Sequence, residues 1–495
     1  MPTPYRLPRI SMSSLGISWP LIVAVAVCIG LLFYTTTQTL GDHDTYLHLA
    51  TGHWIFQHQA VPSVDPFSYT FSGAPWITHE WLSQCLLAAA HHLGGWTGLV
   101  FLTATSLALT LAYLLRFLLG RMPPIYALFF TALASSALSP HLLARPHVLA
   151  WPILAVWVGS LVKASEKEQS PPWWLLGLMG LWANLHGSFT LGLALLLPIA
   201  LEAALNGPRA ARWGILKNWG LFICLSLLAA MLTPAGWKGI WFTFHLVNLK
   251  YLNSIGEWMP ASFMGFNPLE LWLMALLGLA FSGYLRLPVL RLLLVLGLLH
   301  QALAHARYLS LFGLLTPILI ATPFGKLYST LAAGEPQVSA LDRFFARLAA
   351  PAKPLAVAIA VVLVLVTGFV TGQTGKHTPD ASITPKAAVD AAMQAGATGH
   401  VLNQYTFGGY LIYRGIPVFI DGRADLYGDQ HMEAYADALQ SNKPAKIQKT
   451  LDDFKIAWTL LPPDSPAVLY LNTQPEWRKI YEDKTAVVHI RQPAS

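Results

Sequence analysis

The stretch GDHDTYLHLATGHW, Gly41 to Trp54, follows almost directly on the first apolar run of the chain, Trp19 to Tyr34. Two carboxylates, Asp42 and Asp44, stand just where an apolar segment ends, with His43 and His48 beside them. If this stretch is helical, Asp44 and His48 are four residues apart and share one face. Charged and imidazole groups placed at the end of a hydrophobic run suggest a polar site at the edge of a membrane.

The composition supports a membrane setting. The 495 residues are 55% hydrophobic and 11% charged, with a mean hydropathy of +0.50, whereas soluble domains carry roughly 25% charged residues. A spanning helix needs about 20 apolar residues. On that basis about eleven spans are predicted, at 19–36, 96–118, 124–140, 148–163, 173–184, 189–206, 218–233, 268–284, 289–305, 308–324 and 354–373. The short span at 173–184 is expected to continue as a helix to Asn184 and His186. The first run lacks a small-residue cleavage site and is read as a retained helix rather than a signal peptide.

Cations fix the expected orientation. Fifteen fall on one side: Arg6, Arg9, Arg116, Arg121, Lys163, Lys167, Arg209, Arg212, Lys217, Arg286, Arg291, Lys326, Arg343, Arg347 and Lys353. The opposite loops before the last span hold four, Arg145, Lys238, Lys250 and Arg307. The positive-inside rule then puts the N-terminus in the cytoplasm and, with an odd number of spans, the C-terminal segment outside. The formal charge of +7 lies at span ends and sets orientation, so it gives no reason to expect nucleic acid. The three cysteines indicate neither a disulfide framework nor a Cys-based metal site. Trp173, Trp174, Trp237, Trp241 and Trp272 sit near predicted span ends, as interfacial anchors do.

The expected architecture is a polytopic α-helical domain over 1–373, with a large outer loop at 37–95, and a small outer α/β domain over 374–495. In the latter, Val418 to Asp421, Ala457 to Leu461 and Ala486 to Ile490 read as strands, and Pro385 to Gln394 and Glu433 to Leu439 as helices.

The outer loops supply the candidate site residues. Asp42 and Asp44 offer oxygen ligands suited to a divalent cation. One of them is alternatively a general base, and Asp42 is alternatively a helix cap. His79 and Glu80 precede another helix, where an acid also suits the helix N-terminus electrostatically. Arg145, next to Pro146 and His147, and Arg307, in HARY, lie at the same level. A guanidinium grips phosphate bidentately, and pairing with Asp44, Glu80 or Glu257 is the competing account. His186, in NLHGSF, and Glu257, in IGEWMP, complete the set. Asp65-Pro66 reads as a turn. Asp421, Arg423 and Asp425 read first as a local acid–arginine pairing that fixes a turn. Walker A, Rossmann, HExxH and GxSxG signatures are missing, which leaves nucleotide-driven transport and serine hydrolysis without support.

On DTYLHLATGHWI, DPFSYT, HEWL, RPH, NLHGSF and IDGRADLYG, and on the order of one helix, a large outer loop with an acidic pair, a many-helix body and an appended α/β domain, the chain resembles the GT-C superfamily of membrane glycosyltransferases. That superfamily includes protein O-mannosyltransferases, aminoarabinose transferases and oligosaccharyltransferase catalytic subunits, and the motifs look like a bacterial branch of it. The resemblance implies a multi-pass protein of the bacterial inner membrane with its C-terminal domain in the periplasm. It implies an inverting transferase that takes a sugar from a polyprenyl-phosphate- or pyrophosphate-linked donor to a glycan, lipid or protein acceptor. It assigns the base to Asp44 or Asp42, or has them hold a divalent cation such as Mg²⁺ or Mn²⁺. A WWDYG-type acceptor motif is not evident, which speaks against N-glycosylation of sequons. The chemistry then expected puts Arg145 and Arg307 on the leaving phosphate, with His48, His79, Glu80, His147, His186 and Glu257 as further substrate contacts.

Two other classes compete. A transporter or flippase of a lipid-linked or anionic substrate would need a polar path through the bundle, and a non-catalytic assembly subunit would leave the polar residues scattered. Convergence of Asp44, Arg145, His186 and Arg307 at one place favours the enzyme.

Overall fold

The computed structural model describes residues 16–34, 38–331, 340–440 and 444–492. Arg6, Arg9 and the last residues of the first predicted span lie outside the described residues, as does the side chain of Arg343.

Each predicted span coincides with helix. The first three helices are α1 (Trp19–Tyr34), α2 (Asp44–His58) and α3 (Trp81–Leu119). Next come α4 (Pro124–Leu138), α5 (Pro146–Glu166), α6 (Leu175–Leu185), α7 (Phe189–Ala194) and α8 (Leu196–Asn206). The series continues with α9 (Arg212–Ala230), α10 (Trp237–Val247), α11 (Pro268–Phe281), α12 (Val289–Ala304), α13 (Leu309–Leu331), α14 (Ala340–Arg347) and α15 (Pro354–Gln373). Among the described residues, six helical segments are long and apolar enough to cross a membrane, and four shorter apolar helices, α1, α6, α11 and α12, accompany them. The chain is a multi-pass membrane protein. α15 shows why the lipid side reads as it does: Ile359, Val362, Leu365 and Phe369 are all exposed, and an apolar helix without a polar face suits only hydrocarbon. Within α3, Gly94 and Gly95 break the helix, and Gly95 at φ +55° takes a conformation that glycine adopts without steric cost.

Ionic contacts sort the helix ends into two levels. At one level Asp42, after α1, meets Arg145, before α5, which meets Glu257, between α10 and α11. At the other, Arg291 of α12 binds Glu202 of α8 at 2.7 Å and Glu166 of α5 at 3.3 Å, and Glu166 holds Arg121 at 2.9 Å. A dry core of Leu, Trp and Phe lies between them, including Trp151, Trp157, Trp182 and Phe312. Trp272 departs from its expected role: it is fully buried and donates to the Leu133 carbonyl, so it is a core residue and not an interfacial anchor.

Beyond α15 a four-stranded sheet forms from β1 (His400–Asn403), β2 (Ile456–Leu461), β3 (Trp477–Glu482) and β4 (Val487–Arg491), in the order β1-β2-β4-β3. β1 and β2 are parallel, and the remaining pairs are antiparallel. Around it lie α16 (Lys386–Gln394), α17 (Gly408–Tyr413), α18 (Ala424–Gln440), α19 (Pro444–Asp453) and α20 (Pro466–Leu471). Val418 to Asp421 is not one of its strands. It pairs instead with the loop between α2 and α3: Val418 N donates to Phe67 O, Tyr69 N to Val418 O, and Thr70 Oγ1 to Phe419 O. Tyr46 and Leu47 of α2 share a core with Val401, Tyr410 and Leu411.

One ion cluster fastens this junction. Arg423 binds Asp421 at 2.6 Å and Asp65 at 2.7 Å, all three are buried, and Tyr427 Oη donates to Asp421. The local Asp421–Arg423 pairing expected from sequence is present, and Asp65, read as a turn residue, is its distant partner. Arg423→Leu leaves two buried carboxylates uncompensated, so thermal unfolding of the purified protein should show a loss of about 3–5 kcal/mol. A loss below about 1 kcal/mol would contradict this role.

Candidate functional site

The site is built from the point where α1 gives way to α2. Asp42 Oδ1 accepts from Asp44 N at 2.8 Å, which fixes the turn and leaves its other oxygen for Arg145. α2 then carries Asp44 and His48 on one face, as the spacing predicts, and both are buried. Arg145 is extended at the N-terminus of α5, where Pro146 ends the preceding loop. Its Nη1 lies 3.1 Å from Asp42 Oδ2 and 3.3 Å from Glu257 Oε2, and its Nη2 lies 2.6 Å from Asp44 Oδ2. Arg307 reaches the other oxygen of Glu257 at 3.3 Å and stacks over the Trp258 ring at 4.1 Å. Arg145 thus pairs with Asp44 and Glu257, as the competing account has it, and also with Asp42, which that account did not include. Arg307 meets one carboxylate, and that carboxylate is shared.

A second group of side chains adjoins the first. Glu80 Oε1 is 3.6 Å from His79 Nε2 and 3.5 Å from His186 Nε2. The His186 and His147 rings are 6.2 Å apart, and His147 Nε2 donates to the His141 carbonyl at 2.8 Å. His48 contacts Gln84 through Nδ1 at 3.4 Å. Asp42, Asp44, Arg145, Glu257 and Arg307 thus form one connected cluster, with Glu80, His79, His186 and His147 grouped beside it.

Burial sets the protonation states. It raises the Asp44 carboxyl above its ordinary range, against the pull of His43 and Arg145. Burial also pushes Asp42 and Glu257 up, but Arg145 with His43 at Asp42, and with Arg307 at Glu257, outweighs it and holds both below their usual values. Desolvation drives His48 down to about 3 and lowers His79 and His186, so these imidazoles are neutral near pH 7. Glu80 is raised by burial to about 7.

Asp42, His43 and Asp44 each bring one ligand atom within 4.8 Å of the others. Asp44 Oδ1 and His43 Nε2 lie 3.4 Å from one another, and both are buried with no hydrogen bond among the described residues. That donor set fits a divalent cation, although Arg145 already supplies positive charge to both carboxylates.

Two contributors, Tyr405 and Gly422, were not singled out from sequence, and a third, Asp425, was read only as part of a turn. Tyr405 sets its ring 5.4 Å from His43. Asp425 is a half-buried acid in the field of His79. Gly422 brings its backbone so close to Asp44 that a Cβ there would lie 1.8 Å from Oδ1. The signal for Gly422 is the IDGR motif itself, but nothing in the chain says that its partner is Asp44. Away from these groups, a cavity of about 590 Å³ opens between α2 and α17, lined by His53, Trp54, Phe67 and Tyr413.

The fold is that of GT-C membrane glycosyltransferases. The archaeal oligosaccharyltransferase AglB from Archaeoglobus fulgidus, solved with an inhibitory peptide and a dolichol-phosphate, superposes with a TM-score of 0.53 at 12% identity, covering 90% of this chain and 69% of that one. ArnT from Cupriavidus metallidurans gives 0.51 in the apo state, at 13% identity over 95% of this chain and 97% of that one. ArnT bound to undecaprenyl phosphate gives 0.50, at 14% identity over the same shares. No protein-family model matches the sequence, and no curated protein does.

Gly422→Ala should push Asp44 aside, because a carboxylate oxygen and a methyl group need roughly 3.4 Å between them. A structure of that variant is expected to show the 2.6 Å contact of Asp44 with Arg145 broken or lengthened. An unmoved contact would show that the loop yields instead.

Proposed function

We propose that the chain is an inverting glycosyltransferase that moves a sugar from a polyprenyl-phosphate- or pyrophosphate-linked donor to an acceptor at the periplasmic face of a bacterial inner membrane. The observation that carries this reading is the meeting of Asp42, Asp44, Arg145, Glu257 and Arg307 at one end of an apolar bundle. Structures of the same fold hold undecaprenyl phosphate and dolichol-phosphate. A donor of that kind already carries its leaving group, which accords with the absence of nucleotide motifs from the sequence.

Asp44 is the base. Its carboxyl is buried, and its Oδ1 is free of hydrogen bonds among the described residues. An acceptor hydroxyl or amine is a weak nucleophile until a placed base begins to take its proton, an effect of about 10²–10⁴-fold. Asp42 and Arg145 orient Asp44. Arg307, engaged with a single carboxylate, takes the charge that develops on the departing phosphate, and Arg145 adds its field. His147, His186, His48 and Glu257 line the donor's polar end, and the apolar helices receive the lipid chain. The C-terminal sheet, from 374 onward, stands outside the bilayer and presents the acceptor. A divalent cation would be held by Asp42, His43 and Asp44 and would add positive charge at the leaving group.

Transport is the weaker reading. The two charged networks lie at opposite ends of the bundle, and the core between them is apolar.

Purified protein incubated with a panel of polyprenyl-linked sugars should release the lipid phosphate only when acceptor is present. Asp44→Asn is expected to lower that rate by at least about 10²-fold while membrane insertion persists; transfer at the normal rate would remove Asp44 from the role of base. Arg307→Ala is expected to weaken binding of the lipid phosphate by about tenfold or more, and unchanged affinity would take the phosphate role away from it.

A further inference from the structure

Two hydrogen bonds fix where the protons sit around Glu80. Ser188 N donates to His186 Nδ1 at 3.1 Å. A backbone N–H can only donate, so Nδ1 is the acceptor and the proton of neutral His186 is on Nε2. That Nε2–H faces Glu80 Oε1 at 3.5 Å. His79 is the opposite case. Its Nδ1 contacts the Ile77 carbonyl at 3.4 Å, and a carbonyl can only accept, so Nδ1 carries the hydrogen. The bare Nε2 lone pair of His79 then faces the same Glu80 oxygen at 3.6 Å. A hydrogen bond does not span 3.6 Å, but two facing acceptors repel, and a proton on Glu80 relieves that repulsion.

The surroundings keep that proton in place. The side chain of Glu80 is 15% exposed, and the ring of Phe242 from α10 covers His79 at 4.7 Å. Arg145 and Arg307 favour the ionised carboxylate, Asp44 and Glu257 oppose it, and Asp425 faces His79. Burial outweighs the two arginines and raises the carboxyl to about 7, so Glu80 holds its proton below that pH.

We propose that Glu80, held between His79 and His186, is the acid that protonates the departing lipid phosphate. This rests on the transferase reading above and assigns the second half of its proton traffic. As the sugar C1–O bond to the phosphate breaks, its electron pair passes to the phosphate oxygen, and that oxygen takes the proton from Glu80. The new C1–acceptor bond forms from the acceptor's lone pair, and the acceptor's proton goes to Asp44. Products are the glycosylated acceptor and the lipid phosphate monoanion. Glu80 is left ionised and Asp44 protonated, and both reset by exchange with water. His79 and His186 are positioning residues, since they act through Glu80.

Two measurements on the full-length protein test this. In the transfer assay, the wild-type rate should fall above about pH 7, as Glu80 loses its proton. Glu80→Gln should lower the rate by about 10²-fold and abolish that alkaline limb, and Glu80→Asp should keep the limb. A Glu80→Gln enzyme that is within a few-fold of wild type, or that keeps the limb, overturns the proposal; a merely structural loss would slow the enzyme without flattening the profile. Independently of any donor, infrared difference spectra across the titration should show a protonated-carboxyl C=O band that disappears as pH rises and is absent from Glu80→Gln. Lack of that band in the wild type also overturns the proposal. If the band is present but no sugar is transferred, the transferase reading fails while the protonated state of Glu80 stands.

Discussion

One guanidinium holds one end of the helical bundle together. Arg145 faces carboxylates that come from the turn before α2, from α2 itself and from the loop beyond α10. Each of those acids is unfavourable in a buried place by itself, and removing one member of a buried ion cluster costs about 3–5 kcal/mol. Their mutual neutralisation lets three separate segments meet at the edge of an apolar bundle. The arrangement also spreads the basicities of neighbouring acids: Asp42 and Glu257 are held below their usual range, while Asp44, sharing the same cation, is raised by burial. A carboxylate made more basic than its neighbours is the better proton acceptor among them.

The loop between α17 and α18 closes over this cluster. Its residues Val418 and Phe419 hydrogen-bond with the loop between α2 and α3, and Arg423 is locked to Asp65. The consequence is the close seat of Gly422 against Asp44, so the segment that follows the last long helix forms part of the wall around the acidic pair.

Much of the helical framework was legible because lipid demands it. About 20 apolar residues per crossing and cations at one set of ends leave marks that survive any change in packing. The same logic exposed Asp42, Asp44, Arg145, His186, Glu257 and Arg307, since polar groups at span ends stand out against an apolar background. Pairings were less legible, because contacts such as Arg145 with Glu257 or Arg423 with Asp65 join residues separated by long stretches of chain. Trp272 was misread because an aromatic near a span end looks alike whether it faces the interface or the core. Val418 to Asp421 was misread because a buried apolar run has the same appearance whether it joins a sheet or a loop. The seat of Glu80 between His79 and His186 was out of reach, because the contact with His186 joins loops far apart in the chain.

The central claim is that the acidic pair, its arginine and Arg307 form the place where a lipid-linked phosphate departs. A structure determined with a bound polyprenyl phosphate tests it most directly. The phosphate oxygens should lie about 3 Å from the Arg307 guanidinium, on the side of Glu80 and His186, with Asp44 still on Arg145. A phosphate lodged at the Arg121–Arg291 end of the bundle, or in the cavity between α2 and α17, would contradict it.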